Sequence, residues 1–189
     1  MNRGLLIVIS GPSGVGKDTI IQRMLDLDRN LKYSVSCTTR APRSDEVDGE
    51  NYTFVTSERF RRLIKEGAFL EHATYNGNLY GTLRERVEQA RGEGRDIVLK
   101  IEVKGAEQVR KREPKGLFIF LIAPSLEELE RRQKLRNSEN ATDMASRRKI
   151  AESEMTYAEH YDHVVVNDEL EQTVQEILDV IRAARQGQT

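Results

Sequence analysis

The sequence predicts an α/β protein: a parallel central sheet flanked by helices, with one inserted subdomain. Three observations carry this. Short apolar runs of the buried-strand type recur along the chain, helical patterns separate most of them, and the first run opens into a glycine-rich turn followed by a helix. Between Arg40 and Arg91 this alternation gives way to short strand-like pieces and turns, which marks the insertion.

The elements follow in order. Leu5–Ile9 is a β-branched run that ends at Ser10-Gly11, and Ile20, Ile21, Met24 and Leu25 give the next segment a helical apolar face. Further buried strands are expected at Tyr33–Ser36, Ile97–Ile101, Leu117–Ile122 and His163–Val166. Ser125 with Glu128, and Asp168 with Glu171, have capping-box spacing, so helices are predicted over 126–135 and 169–184. Inside the insertion, Asn51–Val55 and Ala73–Tyr75 read as short strands, Asp48-Gly49 and Asn76-Gly77 as turns, and 57–66 and 83–91 as short helices.

Composition excludes several classes of function. Thirty Lys and Arg stand against 31 Asp and Glu, so no global positive field favours a nucleic acid or an anionic membrane as partner. Any bound anion must be gripped locally. Cys37 is the single cysteine, which rules out an intrachain disulfide and a multi-cysteine zinc site and points to a reducing, cytoplasmic setting. No apolar run approaches the ~20 residues of a membrane span. His72, His160 and His163 lack metal-ligand spacing and read as structural or exposed.

The chemistry is concentrated in Gly11-Pro12-Ser13-Gly14-Val15-Gly16-Lys17, placed between a predicted strand and a predicted helix. That context makes it a phosphate-binding loop. The glycines let successive N–H groups turn toward an anion, the helix start adds its positive dipole end, and the Lys17 ammonium reaches β- and γ-phosphates. Phosphate loops usually place Ser or Thr directly after the lysine to ligate Mg²⁺. Here that position is Asp18, followed by Thr19, and a carboxylate beside a polyphosphate requires a compensating cation.

The segments that follow narrow the substrate. Ser34-Val-Ser-Cys-Thr-Thr-Arg40-Ala-Pro-Arg43, Tyr52, Phe69-Leu-Glu71, Tyr80-Gly81-Thr82 and Val166-Asn167-Asp168 appear in that order. With the phosphate loop, this set closely resembles guanylate kinase, a phosphate-loop nucleoside monophosphate kinase, from about Arg3 to the last helix. On charge and hydrogen-bond chemistry, Arg40 and Arg43 with the phenols of Tyr52 and Tyr80 make a clasp for a monophosphate. Guanine presents N1–H and N2–H₂ donors beside an O6 acceptor, so its reader needs a carboxylate and a hydroxyl or N–H.

The resemblance implies that Arg40, Arg43, Tyr52 and Tyr80 hold the GMP phosphate, that Glu71 reads the guanine donors with Ser36 and Thr82 as hydroxyl partners, and that Gly81 lines the same site. It implies a core over about 1–36, 92–134 and 148–189, a GMP-binding insertion over 37–91 and a lid over 135–147. Basic residues outnumber acidic ones seven to two from Arg131 to Lys149, which by itself is equally a solvated helical face. In the family this stretch brings Arg132, Arg136 and Arg147 to ATP and the transferring phosphoryl group. The glycines that usually flank the second of these arginines are Leu135 and Asn137 here. Asn167 matches a position near the adenine, and its alternative reading is a turn residue at a strand end. The implied reaction is phosphorylation of GMP, and of dGMP, by ATP with Mg²⁺, without nucleic-acid or membrane partners; monomer and homo-oligomer stay open.

A second departure from the family lies in Ile97-Val-Leu-Lys100-Ile-Glu102, where an expected acid is replaced by Lys100 while Glu102 is kept. Glu102, grouped with the GMP-binding residues, is then the candidate to orient substrate or Mg²⁺-bound water, and no direct protein ligand to the metal is expected. Asp18 and Lys100 are expected to form an ion pair that offsets both departures. Two rivals remain at this stage: a related ribose-bisphosphate kinase, and a non-enzymatic module that binds peptides.

Overall fold

The chain was analysed as a computed structural model that describes residues 3–75, 77–136 and 156–187, with only the backbone of 135 and 136. Its strands and helices divide between two compact units, Met1–Leu6, Asn30–Leu99 and Lys104–Gly116 in one, Ile7–Arg29, Lys100–Val103 and Leu117–Thr189 in the other.

In the second unit, β1 (Leu6–Ser10) is buried along its whole length and pairs in parallel with β8 (Leu117–Ile122), which pairs in parallel with β9 (His163–Val166). Continuous apolar runs suit strands covered on both faces, as in β1 and β8, but β9, expected to be buried, exposes His163, Val164 and Val166 and buries Val165. Helix α1 (Lys17–Leu27) buries Ile20, Ile21 and Met24, and α6 (Leu170–Gln186) buries Val174, Ile177, Leu178 and Ile181. Ion pairs Arg23–Glu171 and Arg185–Asp28 link these two helices. Helix α5 (Leu126–Arg136) starts as its spacing predicts, with the Glu128 N–H donating to Ser125 Oγ at 3.1 Å.

The first unit holds two sheets of its own strands. Strand β2 (Leu31–Tyr33) pairs in parallel with β7 (Asp96–Lys100), and the Ile97 N–H donates to the Leu5 carbonyl at 2.9 Å. Buried Asp96 accepts from the Leu5 N–H at 2.6 Å and from Asn30 Nδ2 at 3.3 Å, so its charge is met where a lone carboxylate would be costly. A second sheet has the order β4-β3-β6-β5, from β3 (Cys37–Thr38), β4 (Thr53–Phe54), β5 (Phe69–Tyr75) and β6 (Asn78–Leu83). Under it, α2 (Ser57–Lys65) contributes Phe60, whose ring stacks on Phe69 at 4.4 Å between centroids. Cys37 and Leu63 complete this small core, and Phe60→Ala is expected to cost ~3–5 kcal/mol. Helices α3 (Arg84–Gly92) and α4 (Val103–Arg112) complete the described elements of regular helix.

Four expectations are corrected. The strand expected at Tyr33–Ser36 lies at Leu31–Tyr33, because buried Leu31 pairs with Asp96 and carries the ladder two residues earlier. The strand expected at Asn51–Val55 is confined to Thr53–Phe54. Ala73–Tyr75 is only the end of a seven-residue strand whose hairpin partner, β6, the sequence pattern did not reveal. Helix α6 begins after Glu169 without a side-chain cap, so Asp168 does not fill the capping role expected of it. The predicted helices at 57–66, 83–91 and 126–135 are present within a residue or two. Among the described residues no helix is long and apolar enough to cross a membrane.

Candidate active site

Strand β1 delivers the phosphate loop at its carboxyl end, the usual ligand edge of a parallel α/β sheet. Ser10 Oγ donates to the Ile101 carbonyl at 2.8 Å, fixing the exit of β1 against the chain leaving β7. Gly11 has φ 147°, and a Cβ there would lie 2.3 Å from the Leu121 carbonyl oxygen. Gly16 caps α1 at φ 100°, where a Cβ would meet Asn167 Nδ2 at 2.5 Å. Side chains therefore cannot replace hydrogen at either position.

Several loop carbonyls have side-chain donors. Lys17 Nζ donates to Gly11 O at 2.5 Å and to Pro12 O at 3.0 Å. Gln133 Nε2 donates to Ser13 O at 2.6 Å, and Asn167 Nδ2 donates to Val15 O at 2.7 Å. Gln133 and Asn167 are both buried. With these oxygens held, the peptide planes of the loop are fixed, the arrangement in which loop N–H groups make an anion nest. Arg132 donates from Nη1 to the Asn167 carbonyl at 2.8 Å and from Nε to Glu128 Oε1 at 2.7 Å. The hydrogen bonds from Arg131 and Arg132 hold the Glu128 carboxyl down at about 2.

Asp18, in the first turn of α1, and Lys100, at the end of β7, form an ion pair, as expected from their sequence context. Glu102 follows Lys100 closely and is exposed. Ser13 and Thr19 are exposed on the loop and on the first turn of α1.

In the other unit, register places Glu71 of β5 opposite Thr82 of β6, and Thr82 Oγ1 donates to Glu71 Oε1 at 2.7 Å. Glu71 is only 4% exposed, so its carboxylate is held in place and largely out of water. Gly81 is needed for packing as well, since a Cβ there would lie 2.8 Å from the Phe69 ring. Ser36 is half-buried, with its carbonyl accepting from the Thr53 N–H at 2.9 Å.

Arg40 Nη2 donates to Glu46 Oε1 at 2.6 Å, and its guanidinium lies 5.3 Å from the Tyr52 ring centroid. The Tyr52 and Tyr80 rings meet edge-on at 6.0 Å. Glu46 also accepts from the Arg43 N–H at 2.8 Å, so one carboxylate organises both arginine positions. The bond from Arg40, then that from the Arg43 backbone, lowers the Glu46 pKa, and the same contact raises that of Arg40. The Arg43 residue is exposed.

The family model for guanylate kinase matches residues 3–184. This chain belongs to the guanylate kinase family. It is 45% identical to the guanylate kinase of Caldanaerobacter subterraneus subsp. tengcongensis, covering 97% of this chain and 89% of that relative. The guanylate kinase of Rubrobacter xylanophilus is 47% identical, with 96% and 95% covered. The crystal structure of guanylate kinase from Anaplasma phagocytophilum superposes with a TM-score of 0.79 at 36% identity, covering 96% of this chain and 86% of that one.

As a guanylate kinase, the chain brings together in one unit Gly11 to Thr19, Arg132 and Asn167, and in the other Ser36, Arg40, Arg43, Tyr52, Glu71, Tyr80, Gly81 and Thr82. Glu102, grouped with the GMP residues on sequence, falls within the unit of the phosphate loop. Arg147, the Arg136 side chain and most of the 135–147 lid lie outside the described residues. Sequence reasoning missed Gln133 and Glu46. Gln133 stands four residues after Leu129 on the apolar stripe of α5, a polar residue where a core residue belongs. Glu46 follows Arg40 and Arg43 at turn spacing.

Proposed function

We propose that this guanylate kinase transfers the γ-phosphoryl group of ATP to the phosphate of GMP, and of dGMP, yielding ADP and the nucleoside diphosphate. The observation that carries the substrate assignment is the buried carboxylate of Glu71, locked by Thr82. A fixed acceptor pair matches the two donors of guanine, whereas adenine, which offers an acceptor at N1, sets a lone pair against that carboxylate.

The phosphate loop binds the triphosphate through its N–H groups and the start of α1, and Lys17 moves from the Gly11 and Pro12 carbonyls to the β- and γ-phosphates. Arg40 and Arg43, with the hydroxyls of Tyr52 and Tyr80, take the GMP phosphate, and Ser36 and Gly81 flank the base. Phosphoryl transfer needs charge stabilisation and in-line positioning more than a strong base, which gives Lys17, Arg136 and Arg147 the catalytic role. Arg132 and Asn167 serve the ATP side.

Mg²⁺ fits this site as an ion that arrives with ATP. No cluster of three metal-binding side chains is found among the described residues, and the loop position that elsewhere offers a hydroxyl is Asp18, already paired with Lys100. When bound, Mg²⁺ neutralises phosphate charge, and Asp18 and Glu102 are the chain's candidates to contact its water shell.

A coupled assay of ADP release against GMP, dGMP, AMP, UMP and ribose 1,5-bisphosphate tests the assignment. GMP and dGMP are expected to be turned over, with AMP slower on the order of 10³-fold or more. Preferred turnover of the ribose bisphosphate, or no ADP release with GMP, overturns it.

A further inference from the structure

Asp18 presents an electrostatic problem that its partner resolves. It lies in the first turn of α1, whose N-terminus also closes the phosphate loop, so its carboxylate competes with a bound phosphate for the same positive dipole end. The carboxylate is paired with the Lys100 ammonium, which reaches it from the end of β7. The Asp18 side chain is 53% exposed and that of Lys100 22%, and ion pairs this open to solvent add little to fold stability. The pair therefore has its main effect on what binds at the loop.

We infer that Asp18 and Lys100 are a positioning pair for the triphosphate. Lys100 holds the Asp18 carboxylate and cancels its charge, so that a loop with an acid in the hydroxyl position keeps its affinity for ATP. This inference rests on residues 11–17 binding ATP, and it makes no use of the GMP assignment.

The prediction is one of sign. Lys100→Met removes a cation from beside the triphosphate, and one unit charge at several ångströms in a solvated site changes anion affinity by about tenfold. Asp18→Ser removes a carboxylate from the helix start and should bind ATP as tightly as the unaltered protein or more tightly. The double variant should return to within about threefold, and Lys100→Arg should retain affinity. A pair serving only the fold would instead weaken ATP binding in both single variants.

The experiment is isothermal titration of ATP into the intact protein and the four variants, in EDTA and again with Mg²⁺, at two salt concentrations, with thermal unfolding of each protein alongside. Expected are a loss of about tenfold in Lys100→Met that is larger in EDTA and shrinks at high salt, and recovery in the double variant. Equal weakness of Lys100→Met and the double variant, loss in both single variants, or a change below twofold in Lys100→Met would each overturn the inference. Unaltered protein that fails to bind ATP would overturn the reading of the loop instead, and turnover of GMP is a separate measurement.

Discussion

Gln133 of α5 donates from Nε2 to the Ser13 carbonyl at 2.6 Å, tying the helix that precedes the 135–147 segment to the phosphate loop. The amide is buried, and a Cβ at Gly14 would lie 2.6 Å from its Cγ, so loop and helix are in close contact there. Gln133→Leu keeps the volume and removes the donor. Leaving a carbonyl short of its partner costs ~1–3 kcal/mol, so the variant should unfold several degrees lower. Its KM for ATP should rise several-fold while that for GMP is unchanged. Steady-state kinetics with each substrate varied checks this, and an equal rise in both KM values would remove Gln133 from the loop-positioning role.

Lys17 bridges two loop carbonyls with its ammonium. Lys17→Ala should reduce kcat on the order of 10²-fold or more and leave the circular dichroism spectrum intact. Activity within threefold of the unaltered protein would contradict the proposed mechanism.

Glu71→Gln replaces one acceptor oxygen with a donor where the proposed function sets Glu71 against guanine's donors. Turnover of GMP should fall and the preference for GMP over AMP should narrow. The companion variant Thr82→Val removes the hydroxyl that holds Glu71 and should raise the KM for GMP with a smaller change in kcat. Ratios of kcat/KM for GMP and AMP are the measurement, and an unchanged ratio in Glu71→Gln would take that residue out of base reading.

Glu46 accepts from the Arg40 guanidinium and from the Arg43 N–H, so it shapes the proposed phosphate clasp without belonging to it. Glu46→Gln should raise the KM for GMP several-fold and leave the KM for ATP alone. A shift confined to ATP would show that the Arg40 region serves another ligand.

The Glu128 carboxyl is held at about 2 against an ordinary 4.5, by Arg131 first and Arg132 second. Because the folded value lies below the unfolded one, its contribution to stability is complete above about 4.5 and is lost as pH falls through about 2. Carbon-detected NMR titration of the Glu128 side chain should give a midpoint near 2. A midpoint near 4.5 would mean that the arginines do not hold the carboxylate in solution.

Features that depend on near neighbours along the chain are legible in the sequence. The phosphate loop is legible because strand, glycines, lysine and helix follow one another between Leu6 and Leu27, and the cap at Ser125 and the helices of the insertion follow from spacing alone. Even the Asp18–Lys100 pair was foreshadowed, since each residue is chemically out of place in its own segment and their charges are opposite.

Tertiary structure decided whatever depends on distant partners. Leu31–Tyr33 becomes a strand because β7 offers it a ladder, and α6 begins without a side-chain cap because Val174, Ile177 and Ile181 bury its face. Asn167, expected near adenine, turns its amide onto Val15, and Gln133 reaches Ser13 across 120 residues of chain. A buried amide reveals its purpose only through the carbonyl it meets, because burial without that partner is unfavourable and the partner is chosen by packing, not by sequence proximity.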